Sequence, residues 1–126
     1  MLVLDSGGFS RLAERSRRAL ALIQEFQRGG LWPPVVPTMV LVESLQGHAG
    51  RDANANRFLN AVLKEHEVSV ELARRAAELR RRARHGSAVD ALVVAVAEPN
   101  GVVLTGDGSD ISALAAYARN VTAEQV

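Results

Sequence analysis

Short apolar runs alternate with longer helical repeats along the 126-residue chain. The runs Leu2–Leu4, Val35–Val36 and Val102–Leu104 are too short for helices and predict buried strands. Weaker apolar segments at residues 66–70 and 120–122 predict two further strands. Because buried strands separated by helices are typical of parallel sheets, the pattern predicts an α/β sandwich around a mostly parallel central sheet.

Helical spacing of apolar positions predicts the connecting elements. The predicted helices are residues 19–26, closed by Gly29-Gly30; Thr38, as N-cap, to about Gly47; residues 58–63; the arginine-rich residues 72–83; Ser87 to about Glu98; and Asp110 to about Ala118. The segment Asp5-Ser6-Gly7-Gly8 after the first strand predicts a turn. In a sheet of this kind, functional side chains collect at the carboxyl ends of the strands.

Length and composition limit the possible classes of protein. The length fits one domain over residues 1–126. Without cysteine, the chain has neither a disulfide framework nor a thiolate zinc site. Its first residues lack the features of a signal peptide, and no apolar run approaches the roughly 20 residues of a membrane span. We therefore expect a soluble, cytoplasmic protein.

The positive charges are clustered although the net charge is only +1. Six of the 15 lysines and arginines lie between Arg74 and Arg84. Because the guanidinium fork suits phosphate, Arg80, Arg81 and Arg84 are candidates for binding RNA. A solvated helix face is an equally good interpretation, since the same segment carries acidic residues. Aromatic residues are only 4% of the chain, which gives little support for base stacking, and the three histidines show no metal-ligand spacing.

Several carboxylates occupy strongly apolar stretches of sequence. Asp5 follows the first strand, Glu43 and Asp90 interrupt apolar helical segments, and Asp107 and Asp110 follow the strand Val102–Leu104. Charged side chains are rarely buried unless they are paired or bind metal. The first three have no cation within four residues, so local ion pairs do not explain them.

Converging carboxylates repel one another, and a divalent cation relieves that repulsion. Oxygen-only ligand sets suit Mg²⁺ or Mn²⁺, and such ions promote hydrolysis of phosphodiester bonds. Each acid also has a simpler interpretation. Asp5 fits a helix N-cap, Ser87 with Asp90 fits a capping box, Asp107 and Asp110 fit a turn with a cap, and Glu43 could face solvent, although its neighbours make that the weaker interpretation.

Four ordered segments carry a resemblance to a known family: Leu2-Val3-Leu4-Asp5-Ser6, Val40-Leu41-Val42-Glu43-Ser44-Leu45-Gln46-Gly47, Ser87-Ala88-Val89-Asp90-Ala91-Leu92-Val93-Val94-Ala95 and Val103-Leu104-Thr105-Gly106-Asp107-Gly108-Ser109-Asp110. In order and spacing this set resembles the PIN-domain family, and more narrowly its VapC-type toxins. The resemblance implies a PIN-like three-layer α/β/α sandwich. The Gly7-Gly8 pair departs from the family pattern, in which a bulkier residue is common.

The resemblance also implies an activity and its residues. It implies a Mg²⁺- or Mn²⁺-dependent endoribonuclease, usually a homodimer, that cuts tRNA or rRNA and is held inactive by a cognate antitoxin protein. Carried over by position, the catalytic and metal-binding residues are Asp5, Glu43, Asp90 and Asp107, and the accessory residues are Ser6, Thr105 and Asp110.

Other functions remain open at this point. A nuclease of the same fold without an antitoxin, or an inactive module that binds RNA or protein, would share these segments. A phospho-acceptor receiver domain also clusters acids around Mg²⁺, but it needs a late lysine, and the single lysine, Lys64, lies in the wrong context. A dehalogenase-type phosphatase needs a second aspartate at the position of Gly7.

Overall fold

A five-stranded parallel sheet forms the centre of the protein, as a computed structural model describing all 126 residues shows. The strands are β1 (Leu2–Leu4), β2 (Val35–Pro37), β3 (Leu63–Glu65), β4 (Val102–Thr105) and β5 (Thr122–Gln125). Their order in the sheet is β3-β2-β1-β4-β5, and every neighbouring pair is parallel. The three strongest apolar runs of the sequence supply the three central strands.

Seven helices cover the two faces of this sheet: α1 (Ser6–Ala13), α2 (Arg17–Arg28), α3 (Leu41–Ser44), α4 (Ala53–Phe58), α5 (Val70–Ala83), α6 (Ala88–Ala97) and α7 (Gly108–Ala115). Single 3₁₀ turns at Thr38–Val40 and Leu59–Ala61 complete the connections. Helices α1, α2 and α4 contribute to one apolar core, and α5, α6 and α7 to the other. The predicted three-layer α/β/α sandwich is therefore confirmed.

Alternation along the central strands assigns side chains to the two cores. Leu2 and Leu4 pack with Leu104 on the face of α1 and α2, whereas Val3 and Val103 pack on the face of α5 and α6. All five side chains are fully buried. Side chains of a strand alternate between its faces, so each central strand anchors both helical layers. Burial of each such side chain contributes roughly 1.5–3 kcal/mol.

The order in which strands are added to the sheet changes sides at β1: β2 and β3 lie on one side of it, and β4 and β5 on the other. From β1 the chain proceeds through β2 to β3 at one edge, and it then returns to β4 on the other side of β1. Leu4 is paired with Leu104, and the Asp5 amide donates to the Leu104 carbonyl at 3.2 Å. Such a reversal leaves a crevice at the carboxyl ends of the two strands, which is where parallel sheets bind ligands.

Several element boundaries differ from the prediction. The helix predicted from Thr38 to Gly47 is a 3₁₀ turn followed by the four-residue α3, and the Thr38 hydroxyl donates to the Glu65 carbonyl instead of capping a helix. The helix predicted at residues 58–63 ends earlier, since Leu63 already begins β3. The strand predicted at 66–70 is therefore wrong, and that predicted at 120–122 is shifted to β5. The apolar residues of 58–70 belong to the end of one helix, a three-residue strand and the start of another helix. Each piece is too short to show a helical or strand period in the sequence.

The predicted turn at Asp5-Ser6-Gly7-Gly8 is also wrong, because α1 begins directly at Ser6 and includes both glycines. Asp5 is its N-cap and satisfies the Gly8 amide, which would otherwise lack a partner. No helix of the protein combines the length and the apolar character needed to cross a bilayer.

Candidate active site

A cavity of about 290 Å³ opens at the carboxyl ends of β1 and β4. None of its lining residues is hydrophobic, and none is a cation; they are Asp5, Ser6, Gly7, Glu43, Asp90, Gly106, Asp107 and Asp110. All five acids singled out in the sequence therefore meet in one place, although they come from four different segments of the chain. This convergence is the structural feature that short-range sequence patterns do not contain.

Asp5 lies at the base of this acid cavity and is the most buried of its carboxylates. It is 7% exposed, and its Oδ1 accepts a 2.7 Å hydrogen bond from the Gly8 amide. Burial raises the pKa of Asp5 above its usual value, and the charge of Asp90 acts in the same direction. The Gly8 amide, the Thr105 hydroxyl and the Gly106 amide oppose that rise in pKa but do not cancel it.

Asp90 and Asp107 each hold one carboxylate oxygen in a helix cap. Asp90 Oδ2 accepts from the Ser87 amide at 2.9 Å, within the complete capping box of α6. Asp107 Oδ1 accepts from the amide and the hydroxyl of Ser109 at the start of α7. The other oxygen of each carboxylate makes no hydrogen bond within the protein. The interpretations as cap and as site residue, which compete in the sequence, are therefore compatible.

Glu43 reaches the acid cavity from the short helix α3, and its side chain is exposed. The expectation that its apolar neighbours make a solvent-facing position less favourable was wrong. Its neighbour Val42 is 84% exposed, because α3 is a single turn that buries no residue. Hydrophobic neighbours in sequence therefore did not indicate burial here.

Asp52, which the sequence analysis did not single out, organises the loop after α3. It is buried, and its carboxylate accepts from the amides of Gln46, Gly47 and His48 at 2.9, 2.9 and 3.2 Å. The hydrogen bond from Gln46 is the largest cause of the lowered pKa of Asp52. Asp52 therefore fixes the loop that follows Glu43. No short sequence pattern marks this clamp, because the three amides lie four to six residues before Asp52.

The three predicted accessory residues occupy different positions. Ser6 and Asp110 line the acid cavity, whereas Thr105 is fully buried and does not. The Thr105 hydroxyl donates to the Asp107 carbonyl at 2.9 Å and accepts from the Asp107 amide at 3.0 Å. It therefore braces the backbone that carries Asp107. His85, another residue that the sequence analysis did not assign to the site, places Nδ1 3.8 Å from Asp110 Oδ1.

Glycines allow the two central strands to end in such close proximity. A Cβ atom on Gly7 would lie 2.5 Å from both the Cα and the amide nitrogen of Gly106, and one on Gly8 would collide with the Leu104 carbonyl. Those neighbours are backbone atoms, which cannot rotate away. The direct packing of α1 against the end of β4 therefore requires both glycines.

The chemistry of the acid cavity fits a hard divalent cation. Its side-chain donors are all oxygens, and no arginine or lysine neutralises them. As placed, however, no three acidic or histidine side chains form a group that could hold a metal ion. A cation would remove the mutual repulsion of these carboxylates. The predicted ligands Asp5, Glu43, Asp90 and Asp107 all line the cavity, but their side chains would have to move closer together to hold an ion in common.

The predicted RNA-binding arginines lie outside this cavity. Arg80, Arg81 and Arg84 line an open groove along α5 and the turn that follows it. They are not among the cavity residues, so the structure separates the acidic and basic candidates into two adjacent surfaces.

Comparison with known proteins identifies relatives of the fold only. No protein-family model and no curated protein matches the chain. A solved structure of VapBC2 from Rickettsia felis, bound to a DNA fragment from their promoter, matches with a TM-score of 0.70 at 12% identity, over 99% of this chain and 98% of that one. FitAcB from Neisseria gonorrhoeae matches with a TM-score of 0.62 at 16% identity, over 98% and 96% of the two chains.

These findings correct the family predicted from the sequence. The identification as a PIN-domain protein of the VapC type was wrong as it stood, because no family model matches and identities of 12% and 16% show the fold alone. The PIN-like α/β/α fold itself is confirmed. The motifs explain the error: Asp5 and Asp107 are helix N-caps and Asp90 completes a capping box, so each matched acid also has a local structural role that is not specific to one family.

Proposed function

We propose that this protein is a metal-dependent endoribonuclease that hydrolyses RNA phosphodiester bonds. The observation that carries the proposal is the meeting of five carboxylates, without a cation, in one cavity at the carboxyl ends of the central strands. A cluster of that charge is costly in a purely structural role, because each carboxylate raises the cost of ionising the others. Burial is the main cause of the raised pKa of Asp5, and the charge of Asp90 adds to it in the same direction.

The proposed ion is Mg²⁺ or Mn²⁺, held by Asp5, Asp90 and Asp107 with Glu43. When bound, it would make a water more acidic and neutralise charge on the phosphoryl oxygens. The capping hydrogen bonds of Asp90 and Asp107 fix one oxygen of each carboxylate and leave the other for a ligand. Both carboxylate oxygens of Glu43 are free of hydrogen bonds to the protein, and its side chain lines the same cavity.

A protein partner is part of this proposal. The matching chains come from VapBC2 and FitAcB, which are toxin–antitoxin complexes, and each match covers nearly the whole of both chains. We infer that this chain is the toxin of such a pair and is inhibited by a cognate antitoxin. We further infer that it forms a homodimer and that tRNA or rRNA is its substrate. Co-purification with the product of a neighbouring small reading frame would test the partner directly.

The test of the activity is cleavage of total RNA by purified protein with Mg²⁺ or Mn²⁺. We expect discrete fragments from the wild type, and none after addition of EDTA. Asp5→Asn should be inactive, although asparagine retains the oxygen that caps α1. Glu25→Gln is the matched control, because Glu25 is an exposed acid of α2 without an ion pair, and it should cleave like the wild type.

Two results would overturn the proposal. Cleavage that survives both EDTA and Asp5→Asn would indicate a contaminant or a mechanism without a metal. A folded protein that binds Mn²⁺ in calorimetry but cuts neither total RNA nor isolated tRNA would indicate a binding module. Mapping the fragment ends of an active preparation would identify the substrate.

A further inference from the structure

An open groove of about 670 Å³ runs along α5 and the turn after it. The residues that line this arginine groove are mostly basic and include no acid: Ala77, Arg80, Arg81, Arg84, His85 and Gly86. Positions 77, 80, 81 and 84 follow the pattern i, i+3, i+4, i+7 and therefore share one face of α5 and its C-cap, Arg84. Positive charge is thus concentrated in one concave surface although the chain is nearly neutral.

Ion pairs on a neighbouring face of α5 explain why this groove stays positive. Glu78, which is on the same helix, lies 3.2 Å from Arg75 and 3.8 Å from Arg82. Arg80, Arg81 and Arg84 have no carboxylate within ion-pair distance and are exposed. The acidic residues of α5 therefore do not neutralise these three arginines.

The arginine groove adjoins the acid cavity through two consecutive residues. His85 belongs to the groove, and its ring lies 3.8 Å from Asp110, which lines the cavity. Gly86 follows it, and a Cβ atom there would lie 3.5 Å from the Cβ of Asp90, another cavity residue. A ligand that is long enough to leave the cavity past Asp110 therefore enters a surface of opposite charge.

We propose that the arginine groove binds the phosphate backbone of the RNA strand whose scissile bond lies in the acid cavity. The choice of RNA rests on the proposed function, whereas the choice of a polyphosphate chain rests on the groove. Guanidinium groups match phosphate oxygens in geometry and charge. Alanine is the only apolar lining residue, so the groove offers no pocket for the apolar anchors on which peptide partners depend.

The arrangement also solves an electrostatic difficulty. A polyanion is repelled by five carboxylates, and a positive surface beside them lowers the free energy of its approach. Because the arginines read only the backbone, the groove contributes affinity and position but no base preference.

The inference is tested by measuring RNA binding under conditions in which the protein cannot cleave RNA. The parent is Asp5→Asn with EDTA and no added metal, and the probe is a fluorescently labelled single-stranded RNA followed by anisotropy. Relative to this parent, Arg80→Gln/Arg81→Gln/Arg84→Gln should bind at least about tenfold more weakly at 0.1 M salt. The dependence of log Kd on log salt should become shallower by about 2, since each lost phosphate contact on a single strand accounts for about 0.7.

The matched control removes the same charge from the opposite layer. Arg17, Arg18 and Arg28 are exposed residues of α2 without ion pairs, and their triple replacement by glutamine also lowers the net charge by three. It should leave the salt dependence within about 0.5 of the parent. Equal losses in both triple variants would reduce the effect to net charge and overturn the inference.

The outcomes separate this inference from the proposed function. If the groove variant keeps full RNA affinity, or if the parent does not bind RNA, the proposal that the arginine groove binds RNA is overturned. The proposed nuclease activity still stands in that case, provided that the wild type cleaves RNA. If the groove variant binds RNA more weakly but the wild type never cleaves RNA, the groove is an RNA-binding surface and the proposed nuclease activity is overturned. Displacement of the RNA by a polyglutamate peptide at matched charge concentration would instead assign the groove to an acidic protein segment.

Discussion

The two ends of helix α6 each carry a carboxylate, in opposite surroundings. Glu98, the C-cap, accepts two 2.7 Å hydrogen bonds from the Arg75 guanidinium and one from the Arg119 amide. Asp90, in the first turn, accepts only from the Ser87 amide and faces four other acids across the acid cavity. The first charge is compensated within the fold, and the second is not.

This difference separates an acid whose charge the fold compensates from one whose charge it leaves uncompensated. Arg75 and Glu98 tie α5 to the end of α6, and Arg75 also donates to the Tyr117 carbonyl beyond α7. The pair holds the pKa of Glu98 below its usual value. Around Asp90 the fold supplies no cation, although Arg80, Arg81 and Arg84 lie nearby in the arginine groove. An uncompensated carboxylate of this kind is what the proposed metal site requires.

Asp90→Asn is expected to have the largest effect on activity of any change on α6. Asparagine retains an oxygen for the Ser87 amide, so the capping box and the fold should persist. The loss of one carboxylate from the proposed metal site should reduce RNA cleavage about 1,000-fold, which corresponds to about 4 kcal/mol in transition-state free energy. Initial rates at saturating Mn²⁺, with thermal unfolding of the same sample, measure both quantities. Normal cleavage by a folded variant would make Asp90 only a cap.

Glu98→Gln should show the opposite behaviour. Removing the Glu98 charge leaves Arg75 with only the half-exposed Glu78 as an ion-pair partner, and the free energy of unfolding should fall by about 2 kcal/mol. The kcat of the folded fraction should not change, because Glu98 is absent from the acid cavity. Urea denaturation measures the loss, and Glu71→Gln, an exposed acid of α5, should remain within about 0.5 kcal/mol of the wild type. An equally small effect of both variants would remove Glu98 from the stabilising interactions.

Gly7→Ala tests whether the backbone holds the uncompensated acids together. The added methyl group would meet the Gly106 backbone at 2.5 Å, so α1 and the end of β4 must separate. We expect a loss of about 2 kcal/mol in stability and weaker Mn²⁺ binding, because Asp5 and Asp107 flank these glycines. Gly29→Ala is the control, since its methyl group would meet only ordinary contacts near 3.5 Å. Calorimetric Mn²⁺ titration should distinguish the two variants; identical affinities would show that the close approach does not position the acids.

The central architecture was predictable because its signals are local. The strands β1, β2 and β4 are apolar runs, and α6 is framed by Ser87 and Pro99. The region from 38 to 70 was not predictable in the same way. There α3 is a single exposed turn and β3 is an exposed edge strand, so neither buries enough apolar surface to leave a periodic pattern.

The candidate site shows the same division between features with a local sequence signal and features without one. Acids at strand ends and helix starts could be found from sequence, because that position is defined by local pattern. The exposure of Glu43, the loop clamp of Asp52 and the contact of His85 with Asp110 depend on packing between distant segments. Family identity was not contained in those short segments at all, since a cap and a metal ligand place the same residue at the same position.

The smallest expected effect is the pH dependence of stability, in which compensated and uncompensated acids should differ in sign. The pKa of Glu98 is lowered from 4.5, so its contribution is complete above pH 4.5 and is lost as the pH falls through its value in the folded protein. The deficit of Glu98→Gln should therefore shrink in acid. Burial raises the pKa of Asp5 above 3.8, so the wild type without metal loses stability as the pH rises from 3.8 through the folded-state pKa. Asp5→Asn has no charge at this position and does not lose stability in this way, so it should be more stable than the wild type at pH 7 in EDTA. The difference in free energy of unfolding should disappear below pH 3.8. Urea unfolding of the three proteins between pH 3.5 and 7 measures both differences. If Asp5→Asn is instead less stable than the wild type at pH 7, the fold compensates the Asp5 charge. Asp5, the most buried acid of the cavity, would then not belong with the uncompensated acids.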